Sequence, residues 1–249
     1  NVIGAILGDG WAVGHIGWHH RQTYFDRPRL LAQLEITMTD DRLITVATDR
    51  SWKYQFGPLL ENDLVMGEAY DARLELPGWD APGFDGKRWL DVERFDDPGI
   101  DLVATNAPTV RRINRLKPVS DPEDRTTVTT ECYIFDLGQN MVGRVRFKGS
   151  APAGTTVTLR FAEVLNPDGT LYTDNLRTAR VIDYYTFKGD VEEVWEPKFT
   201  FHGFGYVELA GYPGPVSRVT ITGVVLHSEM RPTGHFECSD PLLYQLQHN

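Results

Sequence analysis

Glu61, Asp63, Glu68, Asp71 and Glu75 crowd into the stretch "ENDLVMGEAYDARLE", residues 61–75. Paired carboxylates serve acid and base chemistry, as in glycoside hydrolysis, where two carboxyls flank the scissile bond. Oxygen-rich loops also suit calcium, but this run lacks the alternating-aspartate spacing of a calcium loop. On spacing alone it reads as a strand with charged edges, with Asp71 and Arg73 holding loops. A second cluster, "GHIGWHHRQ", holds His15, His19 and His20. Zinc sites need ligands that converge, and adjacent His19 and His20 in a strand would face opposite ways, so a surface loop is expected. His202 lies between aromatics in "FTFHGFGYVEL" and reads as a hydrogen-bonded, partly buried strand histidine.

The 249 residues carry a net charge of −10, and 11% of them are aromatic. Nucleic-acid binding depends on clustered Lys and Arg, so no nucleic-acid partner is expected. The local basic run Arg111, Arg112, Arg115 and Lys117 reads as a solvated face. Aromatic rings stack on sugar C–H surfaces, and flat polar side chains read hydroxyls, so this acidic, aromatic chain fits sugar contact. Trp11, Trp18 and Trp79 lie among glycines and turn residues and are the better platforms; Trp52 and Trp195 sit in strand patterns and read as core. Cys132 and Cys238 are far apart without metal-ligand spacing, and both read as small core residues. No apolar stretch is long enough to span a bilayer, so no membrane partner is expected. Nucleophile elbows, phosphate-binding glycine loops and cysteine-pair motifs are absent from the sequence.

Such side chains must be held by strands. "LEITM" places Leu34, Ile36 and Met38 on one face; "TTVTLRFAEV" places Val157, Leu159 and Phe161 on one; "RVRFK" alternates Val145 and Phe147 with bases. This period of two marks half-buried antiparallel strands. Turn signals at 39–41, 151–154, 166–170 and 211–215 punctuate them, and Asp168–Gly169 suits a tight connection with positive φ. The expectation is an all-β chain of two antiparallel β-sandwich, or jelly-roll, domains with the start of a helix at its C-terminal end. The first sandwich spans 1–117, a linker with two prolines 118–129, and the second sandwich 130–228. Residues 229–249 close with "SDPLLYQLQHN", where Asp240 suits an N-cap, Pro241 a first helical turn, and Leu242, Leu243 and Leu246 a helical spacing. The opening "NVIGAILGDGW" lacks Met and reads as mid-strand, so the first domain is expected to be truncated at its start.

Several stretches together resemble the bacterial α-L-rhamnosidases, glycoside hydrolase family seventy-eight. They are "VIGAILGDGW", "DRPRLLAQLEI", "TDRSWKYQFGPLLENDLVMGEAYDARLELPGW", "IFDLGQNMVGRVRFKG", "LRFAEVLNPDGTLYTDNLRTARVIDYYTFKG", "FTFHGFGYVELAGYPG" and "TGHFECSDPLLYQLQHN". The resemblance implies the amino-terminal sandwich, the sandwich that precedes the catalytic barrel, and the entry into that barrel. It also implies hydrolysis of terminal α-L-rhamnose with inversion, through an acid and a base roughly 6.5–9.5 Å apart. Those carboxylates belong to a barrel of paired helices after residue 249, so no catalytic residue is assigned here, and Glu163, like Glu68 and Asp71, is not promoted to that role. The expected partners are a rhamnose-containing carbohydrate and that missing barrel, and no cofactor is required.

The resemblance further nominates Asp9 and Trp11, with His15 and Gln22, as carbohydrate-binding residues, with calcium as an optional ligand. Asn62, Asp63, Glu68, Asp71 and Arg73 match the family pattern as loop-holding or barrel-facing residues. The leading expectation is a non-catalytic β-sandwich portion of such an enzyme. The alternative is a self-sufficient carbohydrate-binding module for rhamnose, with calcium as an optional requirement. Aglycone, linkage and compartment, cytoplasmic or secreted, stay open.

Overall fold

The computed structural model describes residues 1–17, 20–96, 99–128, 131–189 and 192–248. A short helix, α1 (Gly10–Val13), precedes the hairpin of β1 (Gln33–Thr37) and β2 (Leu43–Ala47). Then come β3 (Lys53–Tyr54), β4 (Leu59–Asp63), β5 (Gly67–Asp71), β6 (Leu90–Asp91), β7 (Val110–Leu116) and β8 (Glu123–Asp124). The remainder supplies β9 (Cys132–Gly149), β10 (Thr156–Ala162), β11 (Ile182–Thr186), β12 (Glu193–Trp195), β13 (His202–Ala210), β14 (Ile221–Ser228) and the helix α2 (Pro241–His248).

One sheet dominates. Its order is β4-β5-β11-β10-β13-β9-β14-β7, with β8 and β12 paired to β9. The class is the all-β sandwich that the alternation predicts. Its ladders are antiparallel except where β11 runs parallel to β5, with Tyr185 opposite Tyr70. Strands from both sides of the 118–129 segment share this sheet. Gly67 makes the parallel junction possible: its φ is +113°, and a Cβ there would collide with the Ile182 carbonyl.

The core follows from the period of two. Val145 and Phe147 on β9, Val157, Leu159 and Phe161 on β10, Tyr185 on β11 and Phe204, Val207 and Leu209 on β13 point inward and are fully or almost fully buried. Aromatic edges and faces fill the space: Phe147 meets Phe187 edge-on at 5.7 Å, and Tyr185 stacks on Trp195 at 5.2 Å. Trp195 is buried as expected, and His202, expected to be partly buried, is buried outright. Gly169 has the positive φ, +82°, that its turn requires.

Several expectations fail outside the central core. The β1–β2 hairpin forms in register, but among the described residues no buried face forms on it: Leu34 and Ile36 stay 43% and 38% exposed. Residues 1–9 form no strand, because no neighbouring strand takes up their backbone hydrogen bonds. Trp52 is only partly buried, with its indole N–H donated to the Ala47 carbonyl at 3.2 Å. Cys238 is exposed rather than core, as are the residues on either side of it; Cys132 is partly buried.

The helix at the C-terminal end forms as its signals predict. The Asp240 carboxylate accepts from Leu242 N–H at 2.9 Å, and the Asp240 carbonyl accepts from Tyr244 N–H at 3.0 Å. Its leucines are bare.

Candidate functional site

The two distant stretches 9–22 and 62–73 meet at the end of strand β4, where one nominated pair, His15 and Asp63, comes together. Glycines permit the approach. A Cβ on Gly8 would strike the Asn62 side chain, and one on Gly14 would lie 2.8 Å from Asp63 Oδ2. The segment carrying α1 therefore lies flat against the end of β4.

His15 is anchored there. Its backbone N–H donates to Asp63 Oδ2 at 2.7 Å, and its ring Nδ1 lies 2.8 Å from the same oxygen. Asp63 Oδ1 accepts from Val65 N–H at 2.8 Å and Met66 N–H at 3.0 Å, which closes the β4–β5 turn. Burial works to raise the Asp63 pKa, but the bonds from His15 and the turn amides prevail and hold it below the usual carboxylate range.

Glu68 has the opposite balance. It is fully buried; its carboxylate accepts from Lys198 N–H at 2.9 Å, Phe199 N–H at 3.2 Å and the Asn62 amide at 3.1 Å. Burial prevails, aided by the charge of Asp183, and pushes its pKa up to about 7. Its backbone N–H donates to Asp183 Oδ1 at 2.9 Å, which also lies 3.2 Å from His202 Nε2. Asp183 Oδ2 is buried without a partner among the described residues. The chain Asn62–Glu68–Asp183–His202 thus ties β4, β5, β11 and β13 together from inside. At the far end of β5, Asp71 accepts from Arg73 N–H at 3.0 Å, Nε at 2.9 Å and Nη2 at 2.7 Å.

The remaining nominees stand at the surface. Asp9 pairs with Arg21. Trp11, on α1, is 52% exposed. The Gln22 backbone N–H donates to the Val13 carbonyl at 2.8 Å, and its side-chain amide to the Asp26 carbonyl at 2.9 Å. Trp79 packs on Gly4 instead of standing free, and Trp18 and His19 lie outside the described residues. Among the described residues no three His, Cys, Asp or Glu side chains converge as metal ligands.

Sequence reasoning missed Asp183 and the Lys198 and Phe199 amides. Asp183 left a signal: in "VIDYYTF" it shares the inward phase of Tyr185, so an acid faces the core. The amides left none, because any residue supplies a backbone N–H.

Two family models match in the order of the chain. The α-L-rhamnosidase N-terminal domain matches residues 1–114, and the bacterial α-L-rhamnosidase concanavalin-like domain matches residues 126–227. An α-L-rhamnosidase of Streptomyces avermitilis is 43% identical over 252 residues, an alignment that covers 100% of this chain and 24% of that protein. A crystal structure of Streptomyces avermitilis α-L-rhamnosidase complexed with L-rhamnose superposes with a TM-score of 0.91 at 44% identity, over 97% of this chain and 23% of that one. The native enzyme of Aspergillus terreus gives 0.89 at 36% identity, over 98% of this chain and 28% of that one. The chain spans about a quarter of the length of the curated relatives it matches. The same motifs in the same order, on the same fold, make this chain a member of the bacterial α-L-rhamnosidase family, of which it is the amino-terminal region.

Proposed function

We propose that this chain is the non-catalytic β-sandwich portion of an α-L-rhamnosidase that releases terminal α-L-rhamnose with inversion. Its units are 1–117, the linker 118–129, 130–228, and 229–249 as the entry into an α-helical catalytic barrel. The observation that carries this reading is α2: a well-capped helix whose leucines stand exposed, separated from the last strand by residues 229–240. Large bare apolar faces mark lost or awaited interfaces. The buried Asn62, Asp63 and Glu68 group and the Asp71–Arg73 pair serve to hold loops in register; Asn62 and Glu68 are directly bonded to each other. Trp11, exposed beside the Asp9–Arg21 pair, is the residue best placed to touch a sugar.

Hydrolysis of 4-nitrophenyl α-L-rhamnoside tests it. The full reading frame should release 4-nitrophenol and pure 1–249 should not. Turnover by 1–249 would refute the non-catalytic role, and no turnover by the full-length protein would refute the enzyme.

A further inference from the structure

The motif "DLGQN" in the long strand β9 has a structural consequence that its neighbours lack. Along β13 the register jumps: Phe204 faces Met141, but Tyr206 faces Asp136. Leu137, Gly138, Gln139 and Asn140 therefore stand against Gly205 alone. Bulges of this kind bend a strand and re-aim its side chains, and they gather beside binding sites. Here the bulge opens a surface pocket of about 250 Å³ lined by Asp136, Gln139, Asn140, Glu163 and Tyr206 together with Gly138 and Gly205, with Gln139, Asn140 and Glu163 exposed.

The walls are fixed by local chemistry. Gly138 sits at φ +78°, and its N–H donates to Asp136 Oδ1 at 2.7 Å. A Cβ on Gly205 would lie 2.6 Å from Asn140 Oδ1, and one on Gly203 would lie 3.6 Å from Glu163 Oε1. The Asn140 amide thus reaches over Gly205, where a side chain would crowd it, and the Glu163 carboxylate lies within ordinary contact of Gly203.

The lining selects its ligand class. Amides supply donors and an acceptor in one plane, a carboxylate supplies acceptors only, and a tyrosine hydroxyl supplies either. Sugar hydroxyls, each both donor and acceptor, match that set. Asp136 and Glu163 disfavour an anion, and the lining carries no Lys or Arg to offset them. The volume is just under the usual range for small-molecule pockets, roughly 300–1,000 Å³, which limits the occupant to a single ring.

We propose that this bulge pocket is a binding subsite for one neutral hexopyranose unit of a glycan, held by Gln139, Asn140, Glu163 and Tyr206 without a metal. The choice of L-rhamnose as the first probe rests on the function proposed above; the pocket itself does not.

Isotope-labelled 1–249 titrated with L-rhamnose, D-glucose and D-glucuronate, followed by amide chemical shifts, is the test. A neutral sugar should move the Gln139, Asn140 and Tyr206 signals saturably, and D-glucuronate should not. Asn140→Ala should weaken that binding roughly tenfold, the loss expected for a good hydrogen bond, with the Val157 and Leu159 signals in place to show an intact fold. Trp11→Ala and a metal chelator should leave it unchanged. Binding only by D-glucose would keep the subsite and remove rhamnose as its ligand. The subsite is overturned if neither neutral sugar moves these signals, if Asn140→Ala binds as well as the parent, or if chelation abolishes binding. Rhamnoside hydrolysis by the full-length protein judges the family function separately.

Discussion

Strands β1 and β10 carry the same alternation of apolar and polar residues, yet they end in opposite surroundings. Leu34 and Ile36 on β1 face solvent, while Val157, Leu159 and Phe161 on β10 are sealed in the core. The difference is not in the strands' own chemistry, since both form regular ladders. It lies in the layer opposite: β10 has aromatic rings across from it, whereas the apolar residues of the β1–β2 hairpin stay exposed among the described residues. Alternation names the side of a strand that seeks cover; it does not say whether the described residues supply that cover. The most direct way to break the comparison is to remove one side chain from each strand. Phe161, 4.8 Å from the Phe204 ring and 4.6 Å from that of His202, should lose about 3–5 kcal/mol on Phe161→Ala. Ile36→Ala should stay within about 0.5 kcal/mol, as exposed sites do. Urea unfolding at matched pH measures both, and equal losses would mean that the hairpin is as well packed as the core.

A finer form of the same contrast sits on the β4–β5 hairpin, where two buried carboxylates five residues apart respond to pH in opposite senses. Glu68 ionises at about 7 in the fold against 4.5 for a free carboxyl. The folded state holds its proton where the unfolded state has released it. Its contribution to stability is therefore present below about 4.5 and lost as pH rises through about 7, a change on the order of 3 kcal/mol. Glu68→Gln mimics the protonated acid. Its stability, taken as a difference from the parent, should rise across that window; parallel curves would remove Glu68 as the source.

Asp63 has the reverse sign. Its pKa is held down in the fold, so its contribution is present above the unfolded carboxylate pKa and lost as pH falls through the folded one. Asp63→Asn leaves too few acceptors for His15 and the two turn amides, and it should cost about 1–3 kcal/mol at neutral pH. The loss should shrink in acid, where the parent is protonated as well. A loss that stays constant with pH would show that packing, not charge, is what Asp63 provides.

The residues differ in how far their roles could be read beforehand. The period of two located the core strands β9, β10 and β13, because one buried face must repeat at every second residue. Asp240 and Pro241 located α2, because capping is a local event. The parallel pairing of β5 with β11 was not legible, since it joins residues more than a hundred positions apart through backbone groups that every residue carries. The fate of Glu68 was hidden for the same reason: burial and the charge of Asp183 raise its pKa against the Lys198 and Phe199 amides that bond it, and all three partners lie far along the chain. The two nominated clusters were legible as residues but not as neighbours. Their meeting depends on Gly8 and Gly14 lying against β4, and a glycine in a sequence does not reveal what it will approach.

Helix α2 supplies the smallest expected effect and the sharpest separation of stability from exposure. Its leucines are as apolar as those of β10, but Leu242 and Leu246 are 76% and 71% exposed. Removing them cannot open a cavity, because both side chains stand mostly in solvent. Leu242→Ser with Leu246→Ser should leave the unfolding midpoint of the sheet within about 0.5 kcal/mol of the parent. The bare face itself should change: binding of an apolar dye and self-association at high protein concentration should both fall, because exposed apolar patches drive both. If the double variant instead lowered sheet stability by more than about 1 kcal/mol, α2 would be packed on the sandwich in solution, and its leucines would belong with Phe161 rather than with Ile36.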